Sequence, residues 1–151
     1  MHREGHVGFS LLVLSVIMYL LHSWNLLTAT IALGFSTFPD VDLRLGIAHR
    51  KWTHNVFFAL ASGLAFGWVT ERVGLGFGVG FWGAFGGVIL HILGDLMTYR
   101  SFAPLYPLSK RKVSLKLFRS DNVIVNWGML VIGTFAFVIL YGFGRFITWR
   151  T

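Results

Sequence analysis

The sequence has no cysteine, few charged residues and only three prolines among its 151 residues. Without cysteine, a disulfide framework and a thiolate metal site are both excluded. Charged residues make up 13% of the chain, whereas an ordinary soluble domain has roughly 25%, so these few charges cannot cover a soluble globule. Hydrophobic residues, in contrast, reach 55%. Length and composition therefore predict a single integral membrane domain over residues 1–151.

Five apolar runs predict an all-α, polytopic transmembrane bundle with about five membrane helices. The runs cover residues 7–21, 26–38, 56–70, 73–97 and 123–146. They do not alternate as the strands of a barrel do, and helices satisfy their own backbone groups within lipid. The first two runs are shorter than the ~20 residues that cross a bilayer core, so we expect them either to extend into their polar ends or to lie deeper at one side, where the bilayer thins locally. No small-x-small cleavage site follows the first run, which we interpret as a retained helix.

Basic residues gather on one side of this five-helix topology. With the N-terminus in the cytoplasm, ten of the 13 Lys and Arg residues lie inside, and only Arg72, Arg145 and Arg150 lie outside. Cytoplasmic loops of membrane proteins carry an excess of Lys and Arg. The count therefore predicts a protein of the cell inner (plasma) membrane with its N-terminus inside and its C-terminus outside. Topology and anionic lipid account for the net charge of +7, and nucleic-acid binding is the minority interpretation.

The polar stretch between the second and third runs carries two carboxylates and two imidazoles. Asp40 and Asp42 follow Pro39, which ends the second run, and His49 and His54 come after them. These side chains are of the types that bind zinc and similar divalent ions. We expect at least one aspartate and at least one histidine to be ligands. Which member of each pair binds the ion is left open. The alternative is a capped turn with salt bridges to nearby arginines and two histidines at headgroup depth.

His91 and Asp95 lie one helical turn apart near the end of the fourth run. Residues four apart share a helix face, so both side chains can reach one ion. A stripe of small residues precedes them: Gly76, Gly80, Gly83 and Gly87. Small residues at this spacing let a neighbouring helix approach closely, so the stripe is expected to turn His91 and Asp95 into the bundle. Ionisable residues there are functional by default; the alternative is an Asp–His pair that serves packing alone.

All the candidate ligands fall at the cytoplasmic face of the predicted bundle. The set is His6, Asp40, Asp42, His49, His54, His91 and Asp95. None of them entered the charge count, so their convergence supports the topology independently. We expect one site for one or two divalent ions, with zinc preferred, and Thr53 as the N-cap of the third helix. Basic side chains are expected to bind an anionic headgroup beside this site: Arg50, Lys51, Lys110, Arg111 and Lys112.

The order of these motifs resembles a known family. The motifs are Glu4-Gly5-His6 with Ser10, Pro39-Asp40-Val41-Asp42, His49-Arg50-x-x-Thr53-His54, His91-x-x-x-Asp95-x-x-Thr98 and a turn from Pro104 to Pro107. They are similar to the membrane-bound metal-dependent hydrolase family, also called YdjM-like, which is described as inner-membrane-associated with LexA-binding bacterial members. More distantly, the order is similar to zinc-dependent phospholipase C and the P1-type nucleases.

The resemblance implies a division of the site residues. It makes Asp40 or Asp42, His49 or His54, His91 and Asp95 the ligands of one metal ion, and it gives His6 to a neighbouring ion.

Residues and resemblance together predict a metal-dependent hydrolase that cleaves a phosphoester or lipid-linked substrate at the cytoplasmic leaflet. A bound metal lowers the pKa of a water and polarises the phosphoryl oxygen, and a free oxygen of Asp40 or Asp42 is the expected general base. A rival from another class is a metal-bound membrane scaffold or regulatory binding protein without hydrolase activity. A divalent-ion carrier is disfavoured, because carriers place their ligands near the bilayer midplane. Hydrolase and scaffold both remain open on the sequence alone.

Overall fold

A computed structural model describes residues 1–21, 25–42 and 52–148 of the chain. Within this part the secondary structure is helical, which confirms the all-α prediction. The helices are α1 (Arg3–Leu20), α2 (Leu26–Phe35), α3 (Val56–Arg72), α4 (Phe77–Leu96) and α5 (Val123–Thr148). A 3₁₀ turn, Phe38–Asp40, follows α2 and contains Pro39. This turn stops the second helix earlier than its apolar run, which continues to residue 38.

Three of the described helices are long and apolar enough to cross a membrane. They are α1, α4 and the part of α5 from Val123 to Gly142. The other two are shorter, with 10 residues in α2 and 17 in α3. At ~1.5 Å per residue, α2 extends ~15 Å, about half of a ~30 Å bilayer core. On length and composition, three of the described helices qualify as membrane spans. The prediction of about five membrane helices is therefore not confirmed.

One helix start and one N-cap differ from the sequence prediction for local reasons. α4 begins at Phe77 and not at residue 73, because Gly74 and Gly76 have φ values of +77° and +87°. Glycine adopts such angles readily, and a helix excludes them. The N-cap of α3 is Asn55, whose side chain accepts a hydrogen bond from Phe58 N at 2.9 Å. The prediction of Thr53 as the N-cap is wrong, because Asn55 lies directly before the helix and takes that position.

α4 lies at the centre of the fold, between α2 and α3. The core residues around it come from α2, α3, α4 and the loop that follows α4: Phe35, Ala59, Ala84, Val88, Ile92 and Phe102. α1 packs mainly on α5, where Gly8 meets the backbone of Met129 and Leu130 and Gly133 meets Gly8. Two helices can approach this closely when glycines leave no side chains at their contact. Glycines therefore allow the backbones of α1 and α5 to meet.

The predicted glycine stripe packs against neighbouring helices through three of its four members. Gly80 meets Phe66 and Thr70 of α3, Gly83 meets Ile31 of α2, and Gly87 meets Ala32 and Phe35 of α2. Gly76 precedes α4 and would face open space if it carried a side chain. The stripe thus brings both α2 and α3 against α4.

Gly83→Leu is expected to destabilise the protein, whereas Gly86→Leu, three residues further along α4, is not. A Cβ at Gly83 would lie 2.7 Å from Ile31 Cβ, but a Cβ at Gly86 meets nothing within 4 Å. Overpacking of this kind costs about 1–3 kcal/mol of unfolding free energy. Thermal unfolding of both variants in the same detergent measures the difference. Equal stability of the two variants would contradict the packing of α2 on Gly83.

The loop between α4 and α5 folds back over one end of the bundle. Phe102 and Val113 exchange backbone hydrogen bonds, and Leu115 N donates to Leu96 O at the end of α4. Val56 N, at the start of α3, donates to Pro104 O at 2.9 Å. The loop therefore covers the end of the bundle where α3 begins and α4 ends.

Candidate metal centre

Polar residues from α1, α4, the turn after α2 and the segment before α3 meet at the end of the bundle that this loop covers. His6 lies in the first turns of α1, Asp40 ends the turn after α2, His54 precedes α3, and His91 and Asp95 lie in the last turns of α4. The three histidines and Asp95 are fully buried, whereas the side chain of Asp40 remains 18% exposed. Asp40 is thus the member of the cluster that reaches solvent.

Four donor atoms lie close to one another within this cluster. His54 Nε2 is 3.0 Å from His91 Nε2, 3.4 Å from Asp40 Oδ1 and 3.5 Å from Asp95 Oδ2. His91 Nε2 is 3.6 Å from Asp40 Oδ1 and 3.9 Å from Asp95 Oδ2. Two zinc–ligand bonds of ~2.0–2.1 Å at a tetrahedral angle separate their donor atoms by ~3.3 Å. These distances therefore suit a small divalent ion held by His54, His91 and Asp95, whose donor atoms lie within 4.8 Å of one another, with Asp40 beside the two histidines.

The hydrogen bonds behind the two histidines direct their Nε2 lone pairs toward each other. Ser36 O can only accept, so His91 Nδ1, 2.8 Å away, carries the hydrogen. The Thr53 hydroxyl donates to Asp42 Oδ2 at 2.7 Å and therefore accepts from His54 Nδ1 at 2.8 Å. When both rings are neutral, two lone pairs face each other at 3.0 Å. A cation between them removes this repulsion, so the donor set fits a metal ion.

His6 adds an unsatisfied ring to the same cluster. Its ring stacks on His91 with centroids 3.9 Å apart, and its Nε2 lies 3.5 Å from Asp95 Oδ1. Within the described residues neither ring nitrogen has a hydrogen-bond partner. A buried polar atom without a partner costs free energy. Donor atoms of His6, Asp40 and His91 also lie within 4.8 Å of one another and form an alternative donor set, which shares His91 with the first.

Asp40 is held in its ionised form by its neighbours. Burial would raise the pKa of Asp40, but contact with the His54 ring and the nearby imidazoles of His91 and His6 outweigh it and lower that pKa to about 2. The carboxylate is therefore negative at neutral pH and able to bind a cation.

Asp42 lies behind His54 and away from the four donor atoms. It is 1% exposed, and its Oδ2 is 3.5 Å from His54 Nδ1, the ring nitrogen that points away from His91. Asp42 and Thr53 together fix the orientation of the His54 ring. The sequence left open which aspartate contacts an ion; in the structure Asp40 lies beside the Nε2 atoms of His54 and His91, and Asp42 lies behind His54.

The remaining predicted residues lie apart from the cluster or outside the described part. His49, Arg50 and Lys51 fall among residues 43–51, which lie outside the described residues. Lys110, Arg111 and Lys112 are exposed on the loop after α4. They lie close in sequence to Val113, which pairs with the buried Phe102. The basic run therefore lies at the same end of the bundle as the cluster.

Three contacts of the cluster were not predicted from the sequence. The α-amino group of Met1 donates to Asp95 Oδ1 at 2.6 Å, and Ser36 O and the Thr53 hydroxyl orient the two histidines. The role of Thr53 could have been suspected from the sequence, because it is next to the candidate ligand His54 in the chain. Ser36 acts through its backbone carbonyl, which every residue type carries, so no sequence signal exists for it.

Fold and cluster together define a helical membrane protein with a buried His–Asp centre at one end of its bundle. The chain matches the family model described as YdjM inner membrane protein over residues 1–151, and it belongs to that family. No curated protein and no solved structure matches the chain. The family and the three apolar helices support a membrane location. The comparisons give no support to hydrolase activity, to zinc or to similarity with phospholipase C and P1 nuclease.

Proposed function

We propose that the protein is a metal-dependent hydrolase that cleaves a phosphoester of a lipid-linked substrate at one face of the membrane. One observation carries this proposal: the Nε2 atoms of His54 and His91 face each other at 3.0 Å with both Nδ1 atoms engaged elsewhere. Asp40 and Asp95 supply carboxylates to the same point. Two imidazoles and a carboxylate beside an accessible position are typical of catalytic zinc sites.

The proposed roles follow from burial. His54, His91 and Asp95 are fully buried and hold the ion, with zinc as the preferred metal because the donors are nitrogen and oxygen. When bound, such an ion lowers the pKa of a water and polarises a phosphoryl oxygen. His6 is placed to contact a second ion or an oxygen of the substrate, since its nitrogens have no other partner among the described residues.

Asp40 occupies the exposed side of the centre and can accept a hydrogen bond from a water there. The neighbouring histidines lower its pKa, and an efficient general base has a pKa near the working pH. We therefore assign Asp40 to orienting the water or completing the ligand set. Asp42 is a positioning residue that acts through His54.

The exposed basic run suits a phosphorylated headgroup. Lys110, Arg111 and Lys112 extend from the loop that covers the centre. Lysine and arginine near a membrane surface attract anionic lipid. Arg50 and Lys51 stay predicted contributors to the same binding.

The metal and the reaction are tested on protein purified in detergent. Elemental analysis is expected to find about one divalent ion per chain for a single centre of this donor set. A screen of phosphodiester and phosphomonoester substrates is expected to show turnover that chelation removes and zinc restores. Metal-free protein that retains the same turnover would contradict the proposal.

The five helices alternate in direction, which supports a five-helix topology. The centre contains the beginning of α1, the end of the turn after α2, the residue before the N-cap of α3 and the end of α4. α5 starts at the same end, where His2 N donates to Asn126 Oδ1 at 3.0 Å. Together with the distribution of basic residues, this arrangement supports placing the centre and the N-terminus in the cytoplasm and the C-terminus outside.

A reporter fused after Thr151 is expected to report the outside, and one inserted between Ser109 and Lys110 is expected to report the cytoplasm. The reason is the excess of Lys and Arg at the end of the bundle that carries the centre. A paired alkaline phosphatase and green fluorescent protein assay measures both positions. Finding the two fusions on the same side would rule out an odd number of membrane crossings after the loop.

A second candidate, a metal-bound scaffold, is favoured by the number of protein donors around the point. If Asp40 is a ligand, four protein groups surround the ion, and closed four-ligand sites are typical of structural zinc. Asp40→Asn separates the two functions. Retained metal with lost turnover in Asp40→Asn supports the hydrolase. Lost metal in Asp40→Asn, together with no turnover by the wild-type protein, supports the scaffold.

A further inference from the structure

A second feature of the fold is an apolar cavity of about 790 Å³ between α1, α2 and α4. Its lining on α4 runs from Gly78 to Leu93, which is ~22 Å at 1.5 Å per residue. The lining on α1 runs from Val13 to Leu21, ~12 Å on the same basis. One leaflet of a bilayer core is ~15 Å thick. The cavity therefore matches the length of a single lipid chain.

The lining of this cavity reaches the end of α4 that carries the His–Asp centre. Leu93 of the lining comes two residues before Asp95, which is ~3 Å along the helix axis, although the two side chains point to different sides of α4. On α1, Leu14 of the lining comes two helical turns after His6. The Ser10 hydroxyl is fully buried and has no hydrogen-bond partner among the described residues. It lies on α1 between His6 of the centre and Leu14 of the cavity lining.

The chemistry of the lining and of the nearby loop selects the occupant. Ile17, Trp82 and Leu93 are large apolar residues that line the cavity and stay substantially exposed, so the cavity opens sideways toward the lipid. The exposed Lys110–Lys112 run lies at the end of the bundle that carries the centre. Its positive charge can attract the anionic headgroup of a lipid whose tail enters the cavity.

We propose that the cavity between α1, α2 and α4 binds one acyl chain of an anionic membrane lipid and so presents the phosphate of that lipid to the His–Asp centre. The inference rests on the proposed function and names its substrate class. Within a bilayer, lipid tails are as apolar as the cavity wall, so the hydrophobic effect gives little net affinity. The cavity therefore acts mainly by positioning the chain, and the headgroup contacts supply the binding energy.

Photo-crosslinking in vesicles tests the proposal. The protein is reconstituted in phosphatidylethanolamine vesicles that contain phosphatidylglycerol with a diazirine in the middle of one acyl chain. After irradiation, mass spectrometry maps the labelled residues. We expect Leu14, Ile89 and Leu93 to be labelled more strongly than Val131 and Phe135, which are exposed on α5. Equal labelling of the two groups would overturn the proposal, because it indicates lipid that merely surrounds the protein.

A pair of matched variants makes the test specific. Gly86 lines the cavity on α4, Gly128 lies on α5 away from it, and a Cβ meets nothing within 4 Å at either position. Gly86→Phe is expected to fill the cavity and reduce labelling of its lining to the level of α5, whereas Gly128→Phe leaves the labelling unchanged. Unchanged labelling in Gly86→Phe would overturn the proposal.

Parallel measurements separate this inference from the proposed function. Gly86→Phe is expected to keep its metal content and its turnover of a water-soluble phosphodiester while losing turnover of the phosphatidylglycerol. Specific labelling in a protein without metal or turnover would leave the lipid site standing and remove the hydrolase. Turnover of the lipid that is equal in both phenylalanine variants would remove the cavity from the reaction and leave the hydrolase standing.

Discussion

Asp95→Asn is expected to weaken metal binding at least ~100-fold, beyond the 10–100-fold that loss of a residue supporting a ligand costs. Asp95 Oδ2 lies within 3.5 Å of His54 Nε2 and 3.9 Å of His91 Nε2. Asparagine keeps the shape of the side chain but removes the negative charge that a buried cation requires. Titration of the metal-free protein with zinc against a competing chelator measures the change in affinity.

The same substitution at Asp121 is the control. Asp121 is exposed on the loop after α4 and pairs with Arg119, so Asp121→Asn is expected to leave metal affinity unchanged. Because Asp95 also accepts from the Met1 ammonium at 2.6 Å, its loss also threatens folding. His54→Gln is the second variant, since it keeps that ion pair and removes a different ligand. Full metal affinity in both Asp95→Asn and His54→Gln would end the shared-site proposal.

Thr53→Val is expected to weaken metal binding by about 10–100-fold, although Thr53 does not face the ion. Its hydroxyl donates to Asp42 Oδ2 and accepts from His54 Nδ1. Valine preserves the shape but breaks both hydrogen bonds, so the His54 ring loses its fixed orientation and tautomer. The same zinc titration measures the effect.

Thr53→Ser restores the hydroxyl and is expected to restore most of the affinity. A purely structural role of Thr53 predicts a different result, with lowered thermal stability and unchanged metal affinity in Thr53→Val. Valine and serine variants of equal metal affinity would show that the chain from Asp42 through Thr53 to His54 does not support the centre.

The class of protein was readable from composition and apolar runs, because helices are the backbone structure that satisfies its own polar groups in lipid. The starts of the helices were less readable. At α4, positive φ values at Gly74 and Gly76 delay the helix by four residues. A hydropathy pattern does not distinguish an apolar residue in a turn from one in a helix.

The candidate site shows a similar division. The i, i+4 spacing of His91 and Asp95 and the stripe before them predicted that both side chains point into the bundle, and both are buried. Thr53 was misread as a cap because its position before an apolar run is typical of one. Its two partners, Asp42 and His54, bind it through contacts that depend on how the turn after α2 meets the start of α3.

The sequence by itself determined that the chain is a helical membrane protein, and its motifs indicated the family. It also determined which side chains are available to a metal, since residue type sets ligand chemistry. The tertiary structure alone decided that Asp40 faces His54 and His91 while Asp42 stands behind His54. These two aspartates are of the same residue type and only two residues apart, so the sequence did not distinguish their positions. The cavity is likewise a tertiary feature, because its lining comes from α1, α2 and α4 together.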